Sequence, residues 1–351
     1  MKIVFLAFPL GKLGGIKTAQ KYLEIGFRQL GVYYENYFIS LNKKKLPELD
    51  KSWGWKVLGF EKKEWLDNYF RVVNKFDLVI WTVACPHELK NYHDTEWKKL
   101  FDIKPKQLAI IHDPYYEKYY RWYSEIPSKY NIRIVCPAQH MLDGIKRLEA
   151  MKKIIPNAFC ICEHNKGLFN NVKENIVVDA NNWKLARRKV ELIKVADKIK
   201  GKIISFGDQT QLPFYLAKKE KNFNLVIHKG WSSREEILKT LEKAKVSTDL
   251  IGGVDTIMDY TILEAISKGA VPLTLVPFGK PHNKFFKGVV SSKYTLAKDI
   301  NNILKNFEKF NDLRINNLNN LDVLKPAKIA EEYLKYSEEK YEVTRSKGVL
   351  F

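Results

Sequence analysis

The sequence predicts an α/β protein built from parallel sheets with helices on both faces. The chain has 351 residues, which at about 150 residues per domain indicates two domains. Short apolar runs alternate with helix-like segments along both halves, a pattern typical of doubly wound sheets. The composition, 45% hydrophobic with 18 Gly and 13 Pro, excludes a disordered or fibrous chain.

The first half opens with a βαβ unit. An apolar run at residues 3–8 predicts a buried strand, residues 16–30 have helical spacing that stops at Gly31, and residues 33–40 predict a second strand. Three further apolar runs predict strands at 78–81, 108–111 and 132–135.

The second half repeats this alternation after an Asn- and Lys-rich loop at 163–174. Its apolar runs predict strands at 176–178, 202–206, 225–227, 246–250 and 270–275. Residues 326 to about 343 predict a charged amphipathic helix. We therefore expect one domain over 1–165, a second over 166–325, and a C-terminal segment, 326–351, whose helix packs on the first domain.

The net charge favours a polyanionic partner. The chain has 60 Lys and Arg against 40 Asp and Glu, a formal charge of +20. Such a charge favours nucleic acid or an anionic membrane surface. A genome that is biased toward Lys codons would also give a charge of +20, with Lys at surface positions that tolerate any residue. The charge alone therefore does not show that the protein binds a polyanion.

The cysteines and the N-terminus point to the cytoplasm. The four cysteines, Cys85, Cys136, Cys160 and Cys162, are too few and scattered for a disulfide framework, which favours a reducing compartment. The apolar start is interrupted at Pro9, unlike a signal peptide, and no segment approaches 18 apolar residues.

A glycine-rich turn follows the first predicted strand. In doubly wound sheets ligands bind beyond the carboxyl ends of the strands. Gly11, Gly14 and Gly15 lie there, where missing side chains let a ligand approach backbone N–H groups. The spacing matches neither the dinucleotide-binding fingerprint nor the P-loop, which disfavours a dehydrogenase or a P-loop ATPase. A plain tight turn is the alternative.

Residues 255–273 carry the strongest motif. Glu264 lies in a short predicted helix, from about 259 to 269, directly before a buried strand. A carboxylate there can accept both ribose hydroxyls of a nucleotide, while Tyr260 and Thr261 at the helix start face its phosphates. The alternative is an exposed Glu on an ordinary αβ connection.

This segment resembles the nucleotide-sugar site of GT-B glycosyltransferases through Leu263-Glu264-Ala265, Gly269 and Pro272. The resemblance implies two Rossmann-like domains facing a central cleft, a C-terminal helix crossing back to the first domain, and a UDP-sugar donor. It also implies donor contacts at Gly14 and Gly15, and uracil contacts through the backbone near Lys229 and Gly230.

Two families with this fold compete. Retaining enzymes of the glycogen-synthase-like group carry a Glu-x7-Glu motif and a strand-end His. Glu264 and His112 fit that pattern, but Thr256 occupies the first Glu position. This alternative implies a surface polysaccharide or lipid acceptor at a membrane.

The other family is the inverting bacteriophage DNA β-glucosyltransferases, which use UDP-glucose. The chain is similar at the strand end before Asp113, the implied catalytic base, with His112 beside it. Residues 183–188 resemble that family's diphosphate-binding helix, with Lys184 and Arg188 four residues apart. The resemblance implies catalysis without a tightly held metal, with Mg²⁺ as a possible aid to product release.

Aromatic and basic residues follow Asp113 directly. Tyr115, Tyr116, Lys118, Arg121 and Trp122 are candidates for stacking on an extruded base and holding DNA phosphates. The alternative is an amphipathic helix packed on the sheet.

The sequence thus leads to one main functional expectation. It is transfer of a hexose, glucose, from a UDP-sugar to a hydroxymethylated pyrimidine of double-stranded phage DNA, by a monomer in the host cytoplasm. The alternatives are the retaining transferase at a membrane and a nucleic-acid-binding protein without activity on the same fold.

Overall fold

The computed structural model describes residues 1–8, 14–40, 54–59, 65–83, 95–112, 126–145, 148–160, 172–183, 188–250, 260–275 and 286–342. The chain divides into two compact units. Unit 1 comprises Met1–Ala158 and Leu324–Phe351, and unit 2 comprises Phe159–Val323.

Unit 1 contains a seven-stranded sheet in the order β3-β2-β1-β4-β5-β6-β7. Every neighbouring pair of strands is parallel. Central β1 is buried at every residue after Lys2, which explains its continuous apolar run. The strands are β1 (Lys2–Ala7), β2 (Tyr33–Ser40), β3 (Lys56–Gly59), β4 (Leu78–Val83), β5 (Lys106–Ile110), β6 (Arg133–Cys136) and β7 (Lys152–Ile154).

The helices of unit 1 come from both ends of the chain. They are α1 (Gly14–Gln29), α2 (Trp65–Val73), α3 (Gln139–Gly144), a 3-10 helix (Thr95–Phe101) and the C-terminal helix (Pro326–Glu338). The C-terminal helix is shorter than the 326–343 expected from sequence.

The C-terminal helix packs against α1. Its residues Ile329, Tyr333 and Tyr336 are buried, and the Tyr336 hydroxyl donates to the Ile134 carbonyl at 3.3 Å. The closest approach is at Gly26 of α1, where an added Cβ would overlap the carbonyl oxygen of Pro326. The absence of a side chain at Gly26 therefore sets how closely the two helices pack.

Unit 2 contains a six-stranded sheet in the order β10-β9-β8-β11-β12-β13, again with parallel pairs throughout. Its strands are β8 (Glu174–Asp179), β9 (Lys202–Phe206), β10 (Val226–Gly230), β11 (Ala244–Asp249), β12 (Val271–Thr274) and β13 (Val289–Val290). Its α-helices are α4 (Lys189–Lys194), α5 (Leu212–Ala217), α6 (Arg234–Lys243), α7 (Tyr260–Ser267), α8 (Leu296–Lys305) and α9 (Asn311–Asn320), and its 3-10 helices are Ala196–Lys198, Phe223–Leu225, Phe307–Phe310 and Leu321–Leu324.

The predicted α/β class and the buried parallel strands are confirmed, but three strands were not predicted. β3, β7 and β13 each end a sheet and are two to four residues long. An edge strand is covered on fewer sides, so it needs no continuous apolar run and leaves no such signal in the sequence.

The helix predicted over residues 183–188 is wrong at both of its described ends. Trp183 lies outside any helix, and Arg188 adopts a left-handed conformation at the N-cap of α4. That helix was implied by the family resemblance, so the resemblance does not extend to the backbone conformation at Trp183 and Arg188.

The cysteines do not all behave as expected. Cys136 is a buried free thiol, whereas Cys160 is disulfide-bonded. One bridge is not a framework, but it removes the cysteine count as an argument for a reducing compartment. Within the described ranges, no helix is both long enough and apolar enough to cross a bilayer.

The contact at Gly26 predicts that Gly26→Ala destabilises unit 1. Overpacking of a close helix contact costs about 1–3 kcal/mol in the free energy of unfolding. Urea denaturation followed by circular dichroism measures this change. Gln29→Ala, at an exposed position of the same helix, is the control and should stay within about 0.5 kcal/mol of the original chain. Equal stability of the two variants would contradict the packing described.

Candidate functional site

The strands of unit 2 all point the same way, so their carboxyl ends share one edge of the sheet. We call this the carboxyl edge. Gly207, directly after β9, donates its N–H to the carbonyl of Gly230 at the end of β10, at 2.9 Å. Both glycines have positive φ, 117° and 66°. An added Cβ at Gly207 would lie 2.6 Å from the Asn181 carbonyl oxygen, so bare backbone packs closely here.

A buried ion pair lies at this edge. The Lys189 ammonium is 3.0 Å from Asp179 Oδ1, and the two side chains are 2% and 0% exposed. Lys189 Nζ also donates to the Phe206 carbonyl at 2.6 Å. Thr248 Oγ1 donates to Asp179 Oδ2 at 3.4 Å. Buried charges need such partners, because an unpaired charge in a protein interior costs several kcal/mol.

Arg188, directly before Lys189, is exposed and has φ 45° and ψ 29°. This left-handed conformation costs a residue with a side chain about 1–2 kcal/mol. Residues with such strain cluster at binding sites, where the surrounding structure fixes them. The structure therefore places the predicted Arg188 in a strained conformation at the N-cap of α4.

Glu264 is buried, not exposed. It lies on α7, is 6% exposed, and one carboxylate oxygen is 2.9 Å from Arg234 Nε. Arg234 is the first residue of α6, and the preceding Ser233 caps this helix by accepting the Glu236 N–H at 3.2 Å. The alternative of a surface Glu on an ordinary connection is therefore wrong.

The start of α7 is tied to the end of β8. Thr261 Oγ1 donates to Asn181 Oδ1 at 2.9 Å. Tyr260 is half-buried and stacks on Phe159, with ring centroids 6.4 Å apart. These contacts connect the helix that carries Glu264 to the loop that leads toward Arg188.

Lys229 has a partner at the protein surface. Its ammonium is 3.2 Å from Glu236 of α6, and both side chains are more than 40% exposed. The neighbouring His228 is stacked on Phe223 at 4.1 Å. Of the segment 228–230 named from sequence, the backbone of Gly230 is the part that the structure places at the carboxyl edge.

His112 lies in unit 1, two residues after β5. Its Nε2 is buried, with no hydrogen-bond partner among the described residues. Burial lowers the pKa of His112 to about 4, so the imidazole is neutral at pH 7. It lines a small pocket with Gln20, Asn157 and Tyr333. Gly14 and Gly15 form the start of α1, where the sequence predicted a preceding turn.

Seven of the predicted site residues lie outside the described residues and stay predictions. They are Asp113, Tyr115, Tyr116, Lys118, Arg121, Trp122 and Lys184. In the part of the chain that the structure describes, no group of three or more His, Cys, Asp or Glu side chains could hold a metal ion.

Sequence reasoning missed four residues of this edge: Asp179, Asn181, Lys189 and Arg234. The capping pair Ser233 and Glu236 could have located the start of α6 and thus the position of Arg234. Asp179 carries a weaker signal, as a carboxylate that ends an apolar run. Lys189 follows two arginines and looks like ordinary surface.

The two parallel α/β units, with the C-terminal helix returning to the first, define the GT-B fold. An alpha-glucosyltransferase in complex with UDP-glucose and DNA containing an abasic site matches with a TM-score of 0.69 and 14% identity, over 97% of this chain and 100% of that one. An alpha-glucosyltransferase in complex with UDP and a 13-mer DNA containing a HMU base matches with a TM-score of 0.66 and 12% identity, over 95% and 98%.

The apo form of the lipopolysaccharide outer core galactosyltransferase WaaB is also similar. Its TM-score is 0.64 at 12% identity, over 95% of this chain and 98% of that one. No protein-family model and no curated protein sequence matches the chain. At these identities the likeness shows the fold.

Because the backbone at residue 188 is left-handed, we expect a Gly variant to be more stable than an Ala variant there, the reverse of the order inside a helix. Arg188→Gly should be about 1 kcal/mol more stable than Arg188→Ala, because Gly adopts positive φ without steric cost. The control is Glu191, an ordinary position of α4, where Gly should be about 1 kcal/mol less stable than Ala. Thermal and urea unfolding measure both pairs; the same order at both positions would show that Arg188 is not strained.

Proposed function

We propose that this protein is a glycosyltransferase that binds a UDP-sugar at the carboxyl edge of unit 2. The observation that carries the proposal is the buried Glu264, held by Arg234 beside the first turn of α7. A ribose offers two neighbouring hydroxyl donors, and a carboxylate has two oxygens that accept them. Charge-assisted hydrogen bonds of this kind are about twice as strong as neutral ones.

Arg188 is the proposed diphosphate ligand. It is exposed, and the adjacent Lys189 is paired with Asp179 at the end of β8. A guanidinium presents paired N–H groups that match phosphate oxygens. In sugar transfer the leaving UDP gains negative charge, so a fixed cation there stabilises the transition state more than the bound substrate. Lys184 would add a second charge.

The proposed acceptor is a hydroxymethylated pyrimidine in DNA. Three observations support it: the charge of +20, the aromatic and basic run that follows Asp113, and the fold shared with an alpha-glucosyltransferase complexed with DNA. An acceptor hydroxyl within a duplex must leave the base stack to react, and aromatic side chains can stack on the extruded base.

In the proposed reaction Asp113 takes the proton of the acceptor hydroxyl as the new bond to the anomeric carbon forms. The bond from that carbon to UDP breaks, and the configuration inverts. His112 precedes Asp113 in the chain and is neutral at pH 7, so it can position a sugar hydroxyl without carrying charge.

Retention of configuration at the anomeric carbon is the alternative to the proposed inversion. The similar structures are named alpha-glucosyltransferases, and an α product from UDP-α-glucose requires retention. Those structures contain DNA, so retention is compatible with a DNA acceptor. The other acceptor for a retaining enzyme is a surface polysaccharide or lipid, and the fold is also shared with the lipopolysaccharide galactosyltransferase WaaB. The anomeric proton coupling in the NMR spectrum of the product distinguishes the two courses.

Glu264→Ala tests the nucleotide site. Loss of the carboxylate should weaken UDP binding at least tenfold, measured by isothermal titration calorimetry. The sharper readout is 2′-deoxy-UDP, which lacks one ribose hydroxyl. The original chain should prefer UDP to 2′-deoxy-UDP, and the variant should bind them nearly equally. A preference that survives in the variant would remove Glu264 from ribose recognition.

Asp113→Asn tests the reaction. Transfer of ¹⁴C-glucose from UDP-glucose to duplexes containing hydroxymethylcytosine or hydroxymethyluracil should fall by about 10²–10⁴-fold, while UDP affinity stays the same. Transfer by the original chain should also fall steeply between 50 and 200 mM salt, about as expected for several phosphate contacts. Full activity of the variant would exclude Asp113 as the base. Transfer to lipid or polysaccharide but not to DNA would support the alternative acceptor.

A further inference from the structure

Lys189 is a buried cation, although the cation directly before it in the chain, Arg188, is exposed. Its side chain is 2% exposed, while Arg188 is on the surface. The proposed function uses Arg188 and leaves Lys189 without a role. The ion pair that buries Lys189 therefore needs its own explanation.

We propose that Lys189 is a positioning residue: through its buried pair with Asp179 it holds Arg188 in the conformation that presents the guanidinium to the donor diphosphate. The inference rests on the proposed function, since it assigns Arg188 to the diphosphate.

The contacts of Lys189 fix it to two strand ends at once. Its ammonium meets Asp179 Oδ1 at 3.0 Å at the end of β8. It donates to the Phe206 carbonyl at 2.6 Å at the end of β9, and Ser205 Oγ lies at 3.4 Å. The ring of Trp183 covers it, with the ammonium 5.1 Å from the ring centroid. Residue 189 is therefore anchored to the sheet itself.

The side chain of Arg188 is exposed, and its backbone carbonyl accepts the Glu191 N–H at 2.9 Å in the first turn of α4. A strained conformation persists only where neighbouring groups determine it. Arg188 has a φ of 45°. The residue that follows it, Lys189, is anchored by its side chain to the sheet. The anchor at Lys189 supplies the constraint that the conformation of Arg188 requires.

Stability alone does not explain the ion pair. Replacing a buried salt bridge by apolar side chains of similar volume is often neutral or stabilising. Trp183, whose ring lies over the Lys189 ammonium, belongs to a buried apolar cluster, so an apolar side chain at residue 189 would have an apolar neighbour. A buried pair at this place is better explained by the geometry that it enforces.

Asp179 also couples the two halves of the proposed donor site. The oxygen that pairs with Lys189 accepts the backbone N–H of Asn181 at 3.2 Å. The Asn181 side chain in turn accepts from Thr261, on the helix that carries Glu264. One carboxylate thus links Lys189, the neighbour of Arg188, to the helix of the proposed ribose ligand.

A double-mutant cycle on UDP binding tests this role. The first change is Lys189→Met with Asp179→Asn, which removes the pair without leaving a buried charge. The amide oxygen of the new Asn can still accept the Asn181 N–H, so the link to Thr261 and the helix of Glu264 is kept. Isothermal titration calorimetry with UDP and with uridine should show UDP affinity about tenfold lower and uridine affinity unchanged. Lys194→Met, at an exposed position of the same helix, is the control and should change neither.

The second arm repeats these changes in an Arg188→Ala background. If Lys189 acts through Arg188, the loss of the ion pair then costs no further UDP affinity. Lys189→Arg is made in parallel, because it keeps the positive charge but changes the distances to Asp179 and Phe206. Its effect on UDP affinity should also disappear in the Arg188→Ala background.

The possible results of the cycle lead to different conclusions about Lys189 and Arg188. Additive losses in the cycle, or equal losses for UDP and uridine, overturn the positioning role and leave the proposed function intact. An unchanged UDP affinity in Arg188→Ala alone overturns the donor role of Arg188 and this inference with it. Non-additive losses confined to UDP support it.

Discussion

The parallel direction of all six strands in unit 2 is the constraint on which the candidate site depends. Because every strand ends at the same edge, residues that follow different strands meet there although they are far apart in the chain. The loop after β8, the glycines after β9 and at the end of β10, and the helix before β12 all reach this edge. An antiparallel strand in the middle would have separated them.

Electrostatics at this edge depend on pairing each buried charge. Glu264 is paired with Arg234, and Asp179 with Lys189. A carboxylate has two oxygens, and the contact between Glu264 and Arg234 is made by one of them. Arg188 is the exposed cation of the set, and a diphosphate would supply the opposite charge. This arrangement is the basis for proposing an anionic ligand with a diol at this edge.

The sequence predicts the central strands and Glu264 for the same physical reason. Strands buried on both faces require continuous apolar runs, and the Glu precedes such a run at a fixed distance, between a helix start and Gly269. Lys189 could not be found in this way. It stands in a basic run, where most residues are solvated. Its burial arises from contacts at the ends of two strands, with Asp179 and Phe206, 10 and 17 residues away in the chain. For Arg234, the capping residues Ser233 and Glu236 indicate where its helix begins, but nothing in the sequence indicates that it pairs with Glu264. The resemblance placed Arg188 in a helix, and the left-handed backbone of Arg188 leaves no signal in the sequence.

A crystal structure of the protein with UDP tests the account most directly. The account predicts both ribose hydroxyls within hydrogen-bond distance, about 3 Å, of the Glu264 carboxylate, and the diphosphate against the Arg188 guanidinium. Residue 188 should keep its left-handed backbone in that complex. UDP bound with its ribose away from Glu264, or its diphosphate away from Arg188, would contradict the central claim.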